Sequence, residues 1–378
     1  MAGIYIHIPF CASRCSYCDF FSTLQLREAG APYVDALLAE ARMRRQELGG
    51  DTVSTLYLGG GTPSQLPLPL LSSLVHGLNE VVDLSHVDEF TIEANPDDVS
   101  LEWCHAVKSL GVNRVSMGVQ SFEDHILRLI GRRHTASQVF NAVNCLKESG
   151  VDNISIDLIY GLPGQNVESW TQSVEQALTL QPTHISAYGL TYEEGTRLWF
   201  QRERGEVTEV PEEQCLMMYR ILAESLQEAG YEHYEISNFA LPGYRSRHNS
   251  SYWNNIPYLG LGAAAHSYDG SVRRSNPCDL KAYIGQIMLG KLACEVETLS
   301  PRERYDERVM LGLRTSDGVD VARLREEFGD GAYRHFIREA QRHIDAGNLL
   351  LKGENRYVLT NEGIMLSDSV MRDLLWED

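Results

Sequence analysis

Six short runs rich in β-branched and aromatic residues recur along the first half of the chain. They are Ile4–Ile8, Thr55–Leu58, Glu89–Glu93, Arg114–Met117, Asn153–Ile159 and His184–Tyr188. Between them lie longer stretches with apolar positions at helical spacing: Tyr33–Gln46, Leu70–Val81, Leu101–Leu110, Ala136–Ser149 and Val167–Leu178. Strand–helix alternation of this kind predicts parallel βαβ units, arranged as a doubly wound sheet or as part of a TIM-like barrel. Cys11, Gly59, Glu93, Gln120, Gly161 and Thr191 all stand at or just after the end of a predicted strand. In a barrel those ends meet on one face, where active sites are built. They favour an α/β fold with a partial (β/α)6 barrel.

The alternation fades after about Leu190. A helix is expected near Pro211–Ala229 and a strand at Tyr231–Ile236, followed by a Gly- and polar-rich stretch, Leu241–Gly270. From about Pro301 the pattern becomes helices, then Asn348–Lys352, a turn at 353–355, Arg356–Thr360 and a last helix. Helix, hairpin, helix resembles a winged-helix module, so the C-terminal part reads as an α+β, winged-helix-like region. Three domains are expected, at 1–200, 201–300 and 301–378.

A chain of 378 residues, 43% hydrophobic, can bury a large core. No apolar run approaches 18 residues and the start lacks a basic signal region, so direct membrane insertion is not expected and the protein reads as cytoplasmic. A formal charge of −19 argues against nucleic acid as a general partner and against docking on anionic lipid. The winged-helix-like region shares this balance, with 12 Lys/Arg against 16 Asp/Glu. Cys104, Cys145, Cys215, Cys278 and Cys294 are scattered and read as small buried hydrophobes, not disulfides.

The other three cysteines are clustered, in Cys11-Ala-Ser-Arg-Cys15-Ser-Tyr17-Cys18, on the loop leaving the first strand. Three thiolates at this spacing can hold three irons of a [4Fe–4S] cube and leave the fourth open for chemistry. A zinc site completed by His7 or Asp19 is the alternative, although zinc usually takes a second, distant ligand pair, and none follows. Gly59-Gly60-Gly61-Thr62-Pro63 ends the second strand and either lets backbone approach a ligand or makes a tight turn. Glu93 ends the third strand, where a carboxylate can pair with an ammonium or simply be solvated. Asp157 interrupts a β-rich run, and a carboxylate there needs a partner or a ligand.

The cysteine spacing, with an aromatic before the last thiol, resembles the radical S-adenosylmethionine (SAM) family. That resemblance implies a [4Fe–4S] cluster on Cys11, Cys15 and Cys18, with the free iron chelating the methionine part of SAM. Tyr17 would shield the cluster, and Gly60, Gly61 and Thr62 would receive the SAM amino group. Tyr5, Glu93, Gln120, Arg132 and Asp157 match SAM-contacting positions of the coproporphyrinogen branch, where one or two SAM molecules are bound.

Within that branch the chain resembles the oxygen-independent coproporphyrinogen III dehydrogenases, and still more the HemW-type heme chaperones. Phe20 stands where the dehydrogenases have a further cysteine, and only ten residues precede Cys11, so their N-terminal arm is expected to be absent. His248-Asn249-Ser250-Ser251-Tyr252-Trp253 matches the HNxxYW motif of the chaperones. The resemblance implies heme as a cofactor-like cargo. His248 is then a candidate iron ligand, Asn249, Tyr252 and Trp253 stand around it, and Arg245 and Arg247 are placed to meet propionates. A buried structural histidine is the alternative. Heme delivery to a respiratory hemoprotein is the implied function, with coproporphyrinogen decarboxylation as the rival. A homodimer is left open.

Overall fold

The computed structural model describes residues 2–50, 52–292 and 294–376. Its first half is the alternation read from the sequence, with one further short helix, α4: β1 (Ala2–Ile8), α1 (Leu26–Arg44), β2 (Val53–Gly60), α2 (Leu68–Asn79), β3 (Glu89–Ala94), α3 (Leu101–Ser109), β4 (Arg114–Gln120), α4 (Asp124–Leu129), α5 (Ala136–Ser149), β5 (Asn153–Tyr160), α6 (Val167–Thr179) and β6 (His184–Gly189). Strands β1 to β6 pair consecutively and in parallel. β6 does not pair back to β1, so the barrel is partial. The strands are buried along nearly their whole length, as parallel strands covered by helices must be. The helices start on local signals. Thr135 with Gln138 and Asn166 with Ser169 form capping boxes ahead of α5 and α6.

The second half extends both edges of this sheet. It contains α7 (Arg197–Glu203), α8 (Glu212–Glu228), β7 (Glu232–Glu235), β8 (Asn238–Ala240), α9 (Arg247–Trp253), β9 (Tyr258–Leu261), β10 (His266–Tyr268), β11 (Val272–Ser275), α10 (Leu280–Met288) and β12 (Glu295–Thr298). Among the described residues the sheet has twelve strands, in the order β12-β11-β10-β9-β1-β2-β3-β4-β5-β6-β8-β7. The stretch Leu241–Gly270, to which the sequence assigns no element, therefore holds α9, β9 and β10. Their signal is weak because β9 and β10 are only four and three residues long, and β9 is placed by parallel pairing to the distant β1.

The rest forms its own apolar cluster around Tyr305, Val309, Leu324, Phe336 and Val370. Its elements are α11 (Pro301–Leu313), β13 (Val319–Asp320), α12 (Val321–Asp345, bent at Gly329), β14 (Leu349–Lys352), β15 (Arg356–Leu359), α13 (Asn361–Met365) and α14 (Ser367–Asp373). A small antiparallel sheet, β13-β15-β14, and the helices beside it give the winged-helix-like arrangement. The final helix of the sequence reading is two short helices. Arg314 joins this region to the barrel. Its guanidinium pairs at 2.7 Å with buried Glu235 and lies 5.0 Å from the Trp253 ring centroid.

Candidate cofactor site

A cavity of about 480 Å³ opens among the carboxyl ends of β1 to β6 and runs down into the barrel. Cys11, Cys15 and Cys18 all line it. Their loop is tied down by backbone bonds. Cys11 N donates to Thr23 O (2.9 Å), Ser16 N to Ile130 O (2.9 Å) and Leu198 N to Ser16 O (2.7 Å). Thr62 Oγ1 donates to Cys11 Sγ at 3.3 Å, and Arg132 Nη1 approaches Cys15 Sγ at 3.5 Å. Burial pushes the Cys11 thiol up and that of Cys18 up to about 11, so without metal both are protonated. Coordination would release those protons.

The donor set fits a cluster better than a single ion. Among the described residues no three His, Cys, Asp or Glu converge closely enough to hold one metal ion. His7, the suggested zinc ligand, has both ring nitrogens engaged, one with Tyr5 Oη (3.1 Å) and one with the Phe21 carbonyl (2.9 Å). Three thiols around a shared, roomy cavity with hydroxyl and guanidinium donors beside them suit a cube held at three corners.

The glycine loop after β2 lies against this loop. Gly61 N donates to Ile8 O and Thr62 N to Phe10 O, both at 2.9 Å. A Cβ at Gly61 would stand 2.7 Å from the Pro9 carbonyl carbon. Gly60 has φ +109°, and a Cβ there would strike the His7 ring. The glycines thus serve the loop's own packing as well as leaving the cavity open.

Glu93 reaches the cavity between two donors, Tyr57 Oη (2.8 Å) and Gly60 N (3.0 Å). Burial outweighs both and pushes its carboxyl up to about 7. Asp157 is pushed up to about 6 by burial, against the help of Ser186, Arg114 and Ser116. Gln120 closes β4 with φ +66°, next to a register shift. Gly118 makes room for it: a Cβ would stand 2.8 Å from Gln120 Nε2 and 3.0 Å from Arg132 Nη2. Arg132 donates to Gly118 O and to Asn95 Oδ1.

Tyr17, Gly60, Gly61, Thr62, Glu93, Gln120, Arg132, Asp157 and Asn249 therefore share one cavity with the cysteines. Tyr5, His248, Tyr252 and Trp253 do not line it. Helix α9 sits at the amino ends of the strands, with Glu89 at the start of β3 accepting from Arg247 N and His248 N, each at 2.9 Å. His248 is 1% exposed. Its Nδ1 pairs with Thr55 Oγ1 and its Nε2 with Tyr252 Oη, both at 2.8 Å, and its ring stacks on Tyr57 at 5.1 Å. Burial lowers it to about 3, so it is neutral. Arg245 and Arg247 pair with Glu232 and Asp88. The motif thus forms the underside of the barrel, with Asn249 reaching the cavity and His248 one residue pair behind Glu93.

Arg114, Asn95, Ser116 and Ser186 also line the cavity, and the sequence reading does not assign them. For Arg114 and Ser116 the signal was period two: with Gly118 and Gln120 they occupy every second position of β4, and all four line the cavity.

The comparisons agree with this geometry. The family model of the radical SAM superfamily matches residues 5–177, and that of the HemN C-terminal domain matches residues 299–366. Coproporphyrinogen III oxidase (HemN) from Escherichia coli has the same fold over 99% of this chain and 90% of its own, with TM-score 0.85 at 24% identity. The partial barrel and its cysteine loop are those of a radical SAM protein, a class that uses a [4Fe–4S] cluster and SAM. The protein called heme chaperone HemW is 37% identical in Bacillus subtilis, covering all of both chains. The one in Lactococcus lactis is also 37% identical, over 99% of this chain and 97% of its own. A mitochondrial radical S-adenosyl methionine domain-containing protein 1 from Mus musculus is 33% identical over 99% of this chain and 87% of its own. The chain belongs to the HemW family.

Proposed function

We propose that this protein binds heme and delivers it to a respiratory hemoprotein, using a radical SAM scaffold as the carrier. The observation that carries this reading is end-to-end similarity to the HemW chaperones, through both the barrel and the C-terminal region. Cys11, Cys15 and Cys18 would hold the cluster, which supplies an open iron for SAM. Glu93, in its anionic form, would accept the SAM ammonium. Gly60 and Gly61 keep the approach clear, and Arg132 fixes the loop by touching Cys15 and Asn95. Phe20 stands 67% exposed at the mouth, where a dehydrogenase would have its further cysteine.

His248 supports this function from behind. To ligate heme iron it would have to leave two hydrogen bonds and an aromatic stack. Each unsatisfied partner costs about 1–3 kcal/mol. We therefore assign it to positioning: it holds Tyr57, which holds Glu93. Titration of the reconstituted protein with heme, followed by the Soret band, tests binding. Addition of an apo b-type hemoprotein then tests delivery. Transfer whose rate rises with acceptor concentration supports the reading. A rate independent of acceptor shows mere release.

A further inference from the structure

Large apolar side chains are exposed around the mouth of the cavity. Phe20 follows β1 and Tyr188 lies in β6, the first and last strands of the parallel run; both line the cavity and both are exposed. Leu24 and Phe200 are exposed as well, each close along the chain to a bond with the cysteine loop: Thr23 O accepts from Cys11 N, and Leu198 N donates to Ser16 O. A lone exposed apolar residue is ordinary, but a group of them around one opening marks a binding surface. Arg14, between Cys11 and Cys15, also lines the cavity and is exposed. One of its nitrogens donates to Ser22 O, and it meets no carboxylate among the described residues. Arg133, on the same cavity, is instead paired with Asp97 and Asp98. Asp19 and Glu193 share the lining and repel an anion, so the place for one at this mouth is Arg14.

Such a surface suits a flat apolar ligand with carboxylates along one edge: its rings stack on aromatic side chains and the guanidinium takes a carboxylate. That is the chemistry of heme. A cavity of about 480 Å³ is filled by one ligand of SAM's size, so a macrocycle has to lie across the mouth. We propose that heme lies there, stacked against Phe20 and Tyr188 with a propionate on Arg14, and covers the SAM site beneath it. This placement rests on the function proposed above. It needs no ligand from His248, whose ring nitrogens stay engaged.

The test uses the full chain loaded with its cluster, titrated with heme and with heme dimethyl ester and followed by the Soret band. Phe20→Ser and Tyr188→Ser should each weaken both ligands by about tenfold, the size of one lost aromatic contact. Arg14→Gln should weaken heme by about three- to fivefold, as for an exposed ion pair, and leave the ester unchanged. Iron content should stay at the wild-type level in all three. Where a loop variant loses the cluster, Tyr188→Ser, outside that loop, carries the comparison. Bound heme should also slow the exchange of SAM; exchange at the heme-free rate would overturn the placement. Equal heme affinity in wild type and all three variants would overturn it too, and leave the chaperone reading standing. Normal affinity with slower transfer to an apo b-type hemoprotein would overturn it as well and give the patch to the recipient. A wild type that binds no heme would overturn the placement and the chaperone reading together.

Discussion

Cys15 and Cys104 make the sharpest contrast between two thiols of this chain. Cys15 lines the cavity beside Arg132, while Cys104 is buried in α3 among core residues. Cys15→Ala should lose iron and the broad visible absorbance of the cluster, and Cys104→Ala should lose neither. Equal losses in the two would break the three-ligand assignment. Glu93 gives a second residue-scale prediction, this time in pH. Its carboxyl titrates near 7 in the ligand-free protein and near 4.5 when unfolded. The folded state therefore holds an extra proton between those values, and its stability falls as pH rises from about 5 to 7. Asp157, raised to about 6, adds with the same sign. Denaturation midpoints should drop over that range, and less so in Glu93→Gln. SAM should bind more tightly as pH rises through 7, because the anion meets its ammonium. Calorimetry on Glu93→Gln should show SAM weakened by about one to two decades. Unchanged affinity with a flat pH profile would remove Glu93 from the site. The cysteines, glycines and Glu93 were legible because chemistry and spacing announce them. Arg114 was not assigned, since one cation in a β-rich run looks like a strand end until it is seen to line the cavity near Glu93 and Asp157.

At the scale of elements, the six parallel strands and their helices follow the apolar rhythm of the sequence, with ends moved by a few residues except at α1, which starts at Leu26 instead of Tyr33. Several short elements escaped, among them α4, α7, α10 and β8 to β12, and the one that bears on the motif is α9. Seven residues give too little periodicity to read, and the helix is fixed by distant groups, Glu89 at its start and Thr55 and Tyr57 against His248. Its motif was legible as chemistry but not as a place. His248→Ala should strand the Thr55 and Tyr252 hydroxyls and open a void, costing about 2–4 kcal/mol. Iron content of the folded variant should persist, SAM affinity should fall through Tyr57 and Glu93, and the Soret spectrum of bound heme should keep its shape. A variant with normal stability and SAM affinity but a changed heme spectrum would restore His248 as the iron ligand.

At the scale of the whole molecule, the described residues form a twelve-stranded sheet with a second apolar core attached beside it, partly through polar contacts. Glu235 makes one of these contacts. It is buried, and it accepts from Arg314 at 3.1 and 2.7 Å as well as from Ser237 N at 3.0 Å. Arg314→Met would leave that carboxylate short of its counter-charge, at a cost of about 2–3 kcal/mol after allowing for the partial exposure of Arg314. Scanning calorimetry should then show the C-terminal region melting ahead of the barrel; a single unshifted transition would mean that the remaining contacts, such as Arg273 with Glu307 and the backbone bonds of Ile236 and Ser316, suffice to join them. No helix among the described residues is long and apolar enough to cross a membrane, and the −19 charge disfavours docking on anionic surfaces. Under the proposed function, this scaffold carries heme and does not make its precursor. The direct measurement is parallel incubation of cluster-loaded protein, SAM and reductant with heme and with coproporphyrinogen III. The account predicts stoichiometric heme binding and no carbon dioxide release from coproporphyrinogen. Decarboxylation at multiple turnovers, with heme bound weakly or not at all, would contradict it.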